Sequence, residues 1–465
     1  MRVLFATAEL SPIATVGGLA AAAAGLVHEL RRQGVDVELA VPDYGGVELS
    51  DESTIELDVP AWARPARIRV GDHPVAGRLH LVDVAGMARS HPYLEPDGEG
   101  WPDNAERFLR FARAVAARVE QSRPDVLHLN DWHTGAVLAA LTDQPPTVVS
   151  IHNLAYQGVT AGTWLKRIGP RSRHYEWWGS TNPFTGAFAL ADSIVAVSPN
   201  YAKEILTPEF GCGVDVPLAH RGDALTGILN GIDTDVWDPS TDRHVVSTFD
   251  SQHLDAKGPN RAALLERLGF AVNTVHGGDV PLAVAVTRLT DQKGIDLLVP
   301  LLALLREIPM RLAVLGSGDA RLTAILHAAA IAHPDSFAFV EGYDEPLSHL
   351  MFAGADLFVM PSRFEPCGLT QMQAMRYGTI PIVTGVGGLV DTVPDADVDR
   401  ANGRGFVAAR PASTDLLAAM FRACRRVTDR RRRITLQRRG MTVDWSWRRP
   451  AADYLELYQR LLARR

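Results

Sequence analysis

The chain has 465 residues, too many for one hydrophobic core, so two domains of roughly 200 residues each are expected. Apolar residues make up 46% and charged residues 22%, which excludes a disordered or fibrous chain. A net charge of −7 argues against nucleic acid as a partner.

From the N-terminus, Met1–Ala6 reaches Glu9 and Pro12 too soon for a signal peptide, and no apolar run approaches membrane-spanning length. No membrane partner and a cytoplasmic location are therefore expected. Short β-branched runs then alternate with helical patterns: Val3–Ala6, Val35–Ala40, Val126–Asn130, Val148–His152 and Ile194–Val197 in the first half. Ala283–Thr287, Leu312–Leu315, Phe337–Val340, Leu357–Met360 and Ile380–Val383 follow in the second. Strands apolar on both faces with helices between them predict parallel, doubly wound α/β sheets. Between Ser53 and Val84 the pattern changes to polar/apolar alternation, as in Arg67–Val70 and Arg78–Leu81, which predicts an antiparallel insertion with one wet face.

The turn-rich stretch Asp238–Asp242 predicts the seam, giving domains over 1–240 and 241–446 and a terminal segment over 447–465. Pro450–Arg465 carries Tyr454, Leu457, Tyr458 and Leu461 on one helical stripe. The basic run Arg425–Arg439 reads most simply as a solvated helix face. Cys212, Cys367 and Cys424 have no pair spacing, which fits a reducing compartment and excludes a thiolate metal site. Only four of the 47 basic residues are lysines, so Lys293 inside a motif stands out: a compact ammonium suits a single phosphate oxygen.

The most informative stretch is Ser362–Gln371. Glu365 is expected at the carboxyl edge of the strand Leu357–Met360, where open α/β sheets hold ligands. The amides of Gly368, Leu369 and Thr370, beside Cys367, would crown a helix N-terminus and offer an anion site. A carboxylate beside an anion site suits a sugar attached to a diphosphate; an ordinary capped helix is the plainer alternative. Two diglycines, Gly17-Gly18 and Gly387-Gly388, each follow a strand and would let backbone approach a ligand closely. Arg288 and Lys293, just past the strand through Thr287, converge on the start of the next helix and would grip a diphosphate as a metal would. Asp131 follows the strand Val126–Asn130 and is a candidate to orient acceptor or sugar hydroxyls; capping the helix from His133 is the plainer alternative and is compatible with it. No Asp-x-Asp pair is placed for a metal, so none is expected.

The chain resembles bacterial glycogen synthases and plant starch synthases in many ordered blocks: Pro92-Tyr93 with Trp101–Ala105, Asn130–His133, His152–Gly158, Gly227–Asp233, Arg288-Leu289, Gln292–Gly294, the run from Arg363, Arg376–Thr379, Gly387–Leu389 and Trp445–Trp447. The resemblance implies the GT-B fold, two Rossmann-like domains facing across a cleft with the terminal helix crossing back to the first. It also implies a retaining, metal-independent glycosyltransferase that uses no cofactor, takes a nucleotide-sugar donor and serves a glucan or oligosaccharide acceptor. Asp131, His152, Arg288, Lys293 and Glu365 are then catalytic. Gly17, Gly18, Gly316, Gly318, Tyr343, Cys367–Thr370, Gly387 and Gly388 bind the donor, and Thr15, Tyr93, Asn153, Tyr156 and Gln157 lie on the acceptor side.

The chain departs from that pattern in its first half. Thr15-Val16-Gly17-Gly18-Leu19-Ala20-Ala21 lacks the family's phosphate-facing lysine and closing acid, and a second usual lysine falls on Thr185, after Trp177-Trp178-Gly179. Two readings follow: a glycogen synthase with altered donor affinity, or a glycosyltransferase or pseudoglycosyltransferase of secondary metabolism acting on a small sugar or amino sugar. A non-catalytic nucleotide-sugar sensor is disfavoured because Arg288, Lys293 and Glu365 are all kept.

Overall fold

The structure is a computed structural model that describes residues 1–96, 98–270, 280–305 and 307–464. It divides into two compact units, Met1–Gly231 with Trp447–Arg465, and Ile232–Ser446.

The first unit is built on a nine-stranded sheet. Its order is Leu225–Gly227, Ser193–Ala196, Thr147–Ile151, Val126–Asn130, Arg2–Ala6, Asp36–Pro42, Gly77–Val84, Ala66–His73 and Ser50–Glu56. All neighbours are parallel except the last two pairings, which are antiparallel and form the expected insertion. Ile68 and Val70 are buried on that insertion while Arg67 is exposed, which is the alternation read in the sequence. The central strands Val126–Asn130 and Thr147–Ile151 are buried at every residue, as strands covered on both faces must be.

The second unit carries a six-stranded sheet in the order Phe337–Glu341, Arg311–Gly316, Leu282–Val286, Leu357–Met360, Ile380–Thr384 and Phe406–Ala408, all parallel. In each sheet the strand order reverses once, between Arg2–Ala6 and Val126–Asn130 in the first and between Leu282–Val286 and Leu357–Met360 in the second. A doubly wound sheet opens a crevice at its carboxyl edge where the order reverses, and ligands settle there.

The first unit begins and ends with the same core. Helix Arg448–Ala463 buries Tyr454, Leu457, Tyr458 and Leu461 among Val3, Phe5, Leu26 and Val148. The Tyr458 hydroxyl meets His128 Nδ1 at 2.6 Å, and His128 Nε2 meets Ser150 Oγ at 2.7 Å. Gly25 of helix Gly18–Arg32 makes room for Trp447, since a Cβ there would lie 2.0 Å from the indole.

One placement differs from the sequence reading. The division falls at Gly231/Ile232 rather than 240/241. Asp238 pairs with Arg376 at 2.6 Å, Asp242 meets His349 at 2.7 Å, and Trp237 stacks on His349 at 4.0 Å, so the turn-rich segment is fastened to the second unit instead of linking freely. The basic run is largely the solvated face read from the sequence, with Arg425, Arg430, Arg431, Arg432 and Arg438 exposed, and several of its arginines are also tied to neighbours. Arg426 is bound to Asp397, Arg430 meets Asp255 at 2.8 Å, and Arg438 and Arg439 donate to the carbonyls of Ser251 and Gly403. Of the expected terminal helix, Arg465 lies outside the described residues.

Candidate active site

Both reversal points carry the residues singled out in the sequence. In the second unit the turn after Leu282–Val286 brings Arg288 and Lys293, and the turn after Leu357–Met360 brings Glu365. Lys293 Nζ lies 2.6 Å from Glu365 Oε2, with the carboxylate buried and the ammonium side chain 16% exposed. Ser362 Oγ donates to the same oxygen at 3.0 Å. The two turns are laced by backbone: Arg363 N donates to Gln292 O at 2.9 Å, and Gln292 Nε2 donates to Phe364 O at 3.3 Å. Arg363 clamps the other side through Asp296 at 2.6 and 2.7 Å. Lys293 occupies a 3-10 turn, Asp291–Lys293, rather than the start of an α-helix. Gly294 closes that turn at φ +64, with its α-carbon against Pro361 O. Arg288 is exposed, and among the described residues no hydrogen bond or ion pair holds its guanidinium.

The helix after Glu365 runs Thr370–Arg376, only seven residues, with Leu369 at its cap. Its dipole is correspondingly small, so the separate amides of Gly368, Leu369 and Thr370 are what the turn offers an anion. Gly368 sits at φ +75, and buried Gln371 ties the turn by donating to Gly368 O at 2.9 Å and Thr392 Oγ1 at 3.1 Å. Cys367 is buried.

Several glycines serve the chain itself. A Cβ on Gly387, at φ +46, would lie 1.8 Å from Glu365 O, and one on Gly388 would lie 2.3 Å from Cys367 O. Gly388 N donates to Glu365 O at 2.9 Å. The close approach read for this diglycine is therefore made by the Glu365–Cys367 turn. Gly316 and Gly318 likewise pack on the backbone of Thr287 and Leu289, the residues flanking Arg288. Tyr343 is 82% exposed, past the strand Phe337–Glu341.

In the first unit, Asp131 follows Val126–Asn130 with φ 56 and ψ −179, a region glycine alone occupies readily, at a cost of roughly 1–3 kcal/mol. Its carboxylate accepts from the amides of His152 at 2.7 Å and Asn153 at 3.3 Å and does not cap the following helix, so the capping alternative is set aside. Burial pushes the Asp131 carboxyl up to about 7 against those two amides, which pull it down, and nearby Glu9 adds to the rise. His152 Nε2 lies 2.9 Å from Asn130 Oδ1, while the Asn130 amide donates to Ala6 O at 3.0 Å. That orientation makes the asparagine oxygen the acceptor and places the imidazole proton on Nε2. Burial lowers His152 to about 3, so the ring is neutral.

Glu9 is the residue the sequence reading passed over. It follows the strand Arg2–Ala6, accepts from the amides of Val16 at 3.1 Å and Gly17 at 2.8 Å, and receives the Tyr93 hydroxyl at 2.9 Å. One buried carboxylate thus ties the diglycine loop to Tyr93, whose ring stacks on His133 at 5.2 Å. Its place just past a strand at the order reversal was the available signal. Gly17 has φ −148, and a Cβ on it would meet nothing within 4 Å; Thr15 and Gly18 are exposed. Tyr156 is 61% exposed. Gln157 is engaged at both ends of its amide, donating to Cys212 O at 2.9 Å and accepting from Asn182 at 2.8 Å. Thr185 is buried in the helix that Asn182 caps. Among the described residues no group of three His, Cys, Asp or Glu side chains is placed to hold a metal ion.

Residues 2–220 match the family model of the starch synthase catalytic domain, and residues 272–435 match that of glycosyl transferases group 1. Glycogen synthase 1 of Methylococcus capsulatus is 41% identical, covering 100% of this chain and 97% of the relative. Glycogen synthase of Halorhodospira halophila is also 41% identical, over 100% of both. Among solved structures, the catalytic domain of starch synthase IV from Arabidopsis thaliana, bound to ADP and acarbose, superposes with a TM-score of 0.87 at 31% identity over 99% of each chain. Sucrose-phosphate synthase from Thermosynechococcus elongatus, at 19% identity and a TM-score of 0.65 over 100% of each chain, shares the fold.

Proposed function

Because the chain belongs to the family of bacterial glycogen synthases and starch synthases, a group of GT-B glycosyltransferases, we propose that it transfers a glucosyl unit, with retention, from a nucleotide diphosphate to the non-reducing end of an α-glucan. The observation that carries this reading is the Lys293–Glu365 pair at the order reversal of the second sheet, with the exposed Arg288 on the adjoining turn. Cleaving the glycosyl bond leaves a diphosphate whose charge must be met as it develops. Lys293 and Arg288 supply the positive charge that a metal ion supplies in other transferases, and the amides of Gly368–Thr370 add donors. Glu365 accepts from sugar hydroxyls while keeping Lys293 aimed.

The first unit supplies the groups on the sugar side. Neutral His152 offers no charge that would repel an oxocarbenium-like centre, and the strained Asp131 backbone is fixed by the amides next to it. The leaving phosphate takes the proton of the attacking hydroxyl, so no separate base is required. The starch synthase IV structure holds ADP, and we carry adenine over as the base of the donor. Relatives that match this chain from end to end are glycogen synthases, which favours the glucan reading over transfer to a small amino sugar. Among the described residues no helix is long and apolar enough to cross a membrane, and we place the enzyme in the cytoplasm with its nucleotide-sugar donor.

The test is to offer ADP-glucose and UDP-glucose separately with glycogen or maltooligosaccharides and follow the products by mass spectrometry. Chains longer by one glucosyl unit, with nucleoside diphosphate released in equal amount, are expected. Nucleotide binding without chain growth for any donor would sink the reading and point to a sensor.

A further inference from the structure

Between strand Thr147–Ile151 and helix Pro183–Leu190 the first unit carries a small antiparallel sheet, Thr160–Ala161 against Ser180–Thr181 against Glu176–Trp177. The last two strands are joined by Trp178 and Gly179 alone, at φ +50 and +81. A two-residue turn with both angles positive takes Asn, Asp or Gly at its first position. A bulky residue there crowds its own Cβ against the following carbonyl. The surroundings nonetheless hold it: the Glu176 carboxylate accepts from Gly179 N at 2.8 Å, and Gly162 approaches so closely that a Cβ would lie 2.1 Å from Gly179 O. Trp178 is 88% exposed, and its ring neighbour is Trp177, edge-on at 6.2 Å. An indole that disfavours its turn, packs into no core and stands in water is accounted for by a ligand.

We propose that Trp178 is a stacking platform for an α-glucan chain, a holding subsite set apart from the residues that carry out transfer. Its ligand class rests on the function proposed above. An indole presents a flat apolar face to the C–H face of a glucose ring and an N–H to its hydroxyls, a pairing that needs no charge and suits a neutral polymer. The hairpin is continuous with the acceptor-side segment: Tyr156, also exposed, precedes Gln157, whose amide is bonded to Asn182 immediately after strand Ser180–Thr181. A polymer is thereby gripped by the same excursion of chain that begins at His152 and Asn153.

Trp178→Asn removes the ring and supplies the residue the turn prefers, so its melting temperature is expected to equal or exceed that of the wild type. Retardation in native gels containing glycogen is expected to be lost, and KM for glycogen to rise on the order of tenfold, with kcat and KM for maltotriose moved far less. Trp178→Tyr is expected to recover most of the retardation. A Trp178→Asn protein retarded like the wild type, with the same KM for glycogen, overturns the subsite while leaving glucosyl transfer standing. Trp178-dependent retardation in a protein that extends no glucan keeps the subsite and removes the transfer reading. Should the substitution instead halve the mass seen by light scattering without touching glycogen retention, the indole is a contact between copies and the subsite falls.

Discussion

At the order reversal of the second sheet, an ammonium and a carboxylate meet at 2.6 Å and a guanidinium stands in solvent two residues past a strand. At the order reversal of the first, the carboxylates of Glu9 and Asp131 are held by backbone amides and the Tyr93 hydroxyl, and the histidine beside them is neutral. The same sheet topology therefore delivers a site with two cations in one unit and an acidic, amide-held and strained one in the other. Under the proposed function the leaving diphosphate would belong to the second unit, and a chain with threonine at position 15 would keep that half of its donor grip.

The largest effect is expected where that grip is cut. Lys293→Ala should lower kcat on the order of 10²–10³-fold, because it removes a charge that acts as the diphosphate departs. Circular dichroism should show the fold kept, and near-normal turnover in the variant would take Lys293 out of the mechanism.

The first unit is tested through its raised acid. Asp131 titrates near 7 in the folded chain and near ~3.9 when unfolded, so the folded state binds the extra proton between those values. Its contribution to stability is full below the unfolded value and is lost as pH rises through about 7, by an amount on the order of a few kcal/mol. Asp131→Asn keeps an oxygen for the amides of His152 and Asn153 and removes the titration. Urea unfolding at pH 5 and pH 8 should show the wild type losing more stability across that interval than the variant; parallel losses would mean the carboxyl is ionised throughout.

Gly388→Ala should cost about 1–3 kcal/mol by forcing the Cys367 backbone away, and donor affinity should fall with it. A variant with unaltered melting temperature would show that the Glu365–Cys367 turn yields without penalty.

The sheets were legible because parallel strands buried on both faces are unbroken apolar runs, and Val126–Asn130 or Leu357–Met360 admit no other reading. The insertion was legible from alternation alone. What escaped was set by long-range partners. Glu9 looks like any early acid until Val16, Gly17 and Tyr93 close on it, residues as much as 84 positions away. Asp238–Asp242 has the composition of a linker but is anchored by Arg376, His349 and Tyr377, far along the chain. Lys293 and Glu365 were each legible by residue type and position, whereas their pairing across 72 residues was not.

Thr15→Lys would make the first unit resemble the second by adding an exposed cation beside the diglycine loop. One charge-assisted bond to a phosphate should lower the KM for ADP-glucose by on the order of tenfold, with little change in stability at an exposed position. An unchanged donor profile would mean that the phosphates never come near this loop, and the alternative in which the first unit handles a different transferred group would gain ground.

The smallest effect separates the two diglycines. Gly387 and Gly388 have no room for a methyl group because their own chain fills it, whereas Gly17 is extended and, among the described residues beyond its two chain neighbours, nothing lies within 4 Å of where its Cβ would stand. Gly17→Ala should therefore leave the melting temperature within the roughly ±0.5 kcal/mol typical of a surface change. Any rise in the KM of the donor then reports a ligand against the backbone. If the alanine variant matches the wild type in both stability and KM, the loop is open to solvent during catalysis, and Glu9 holds it only to place Tyr93.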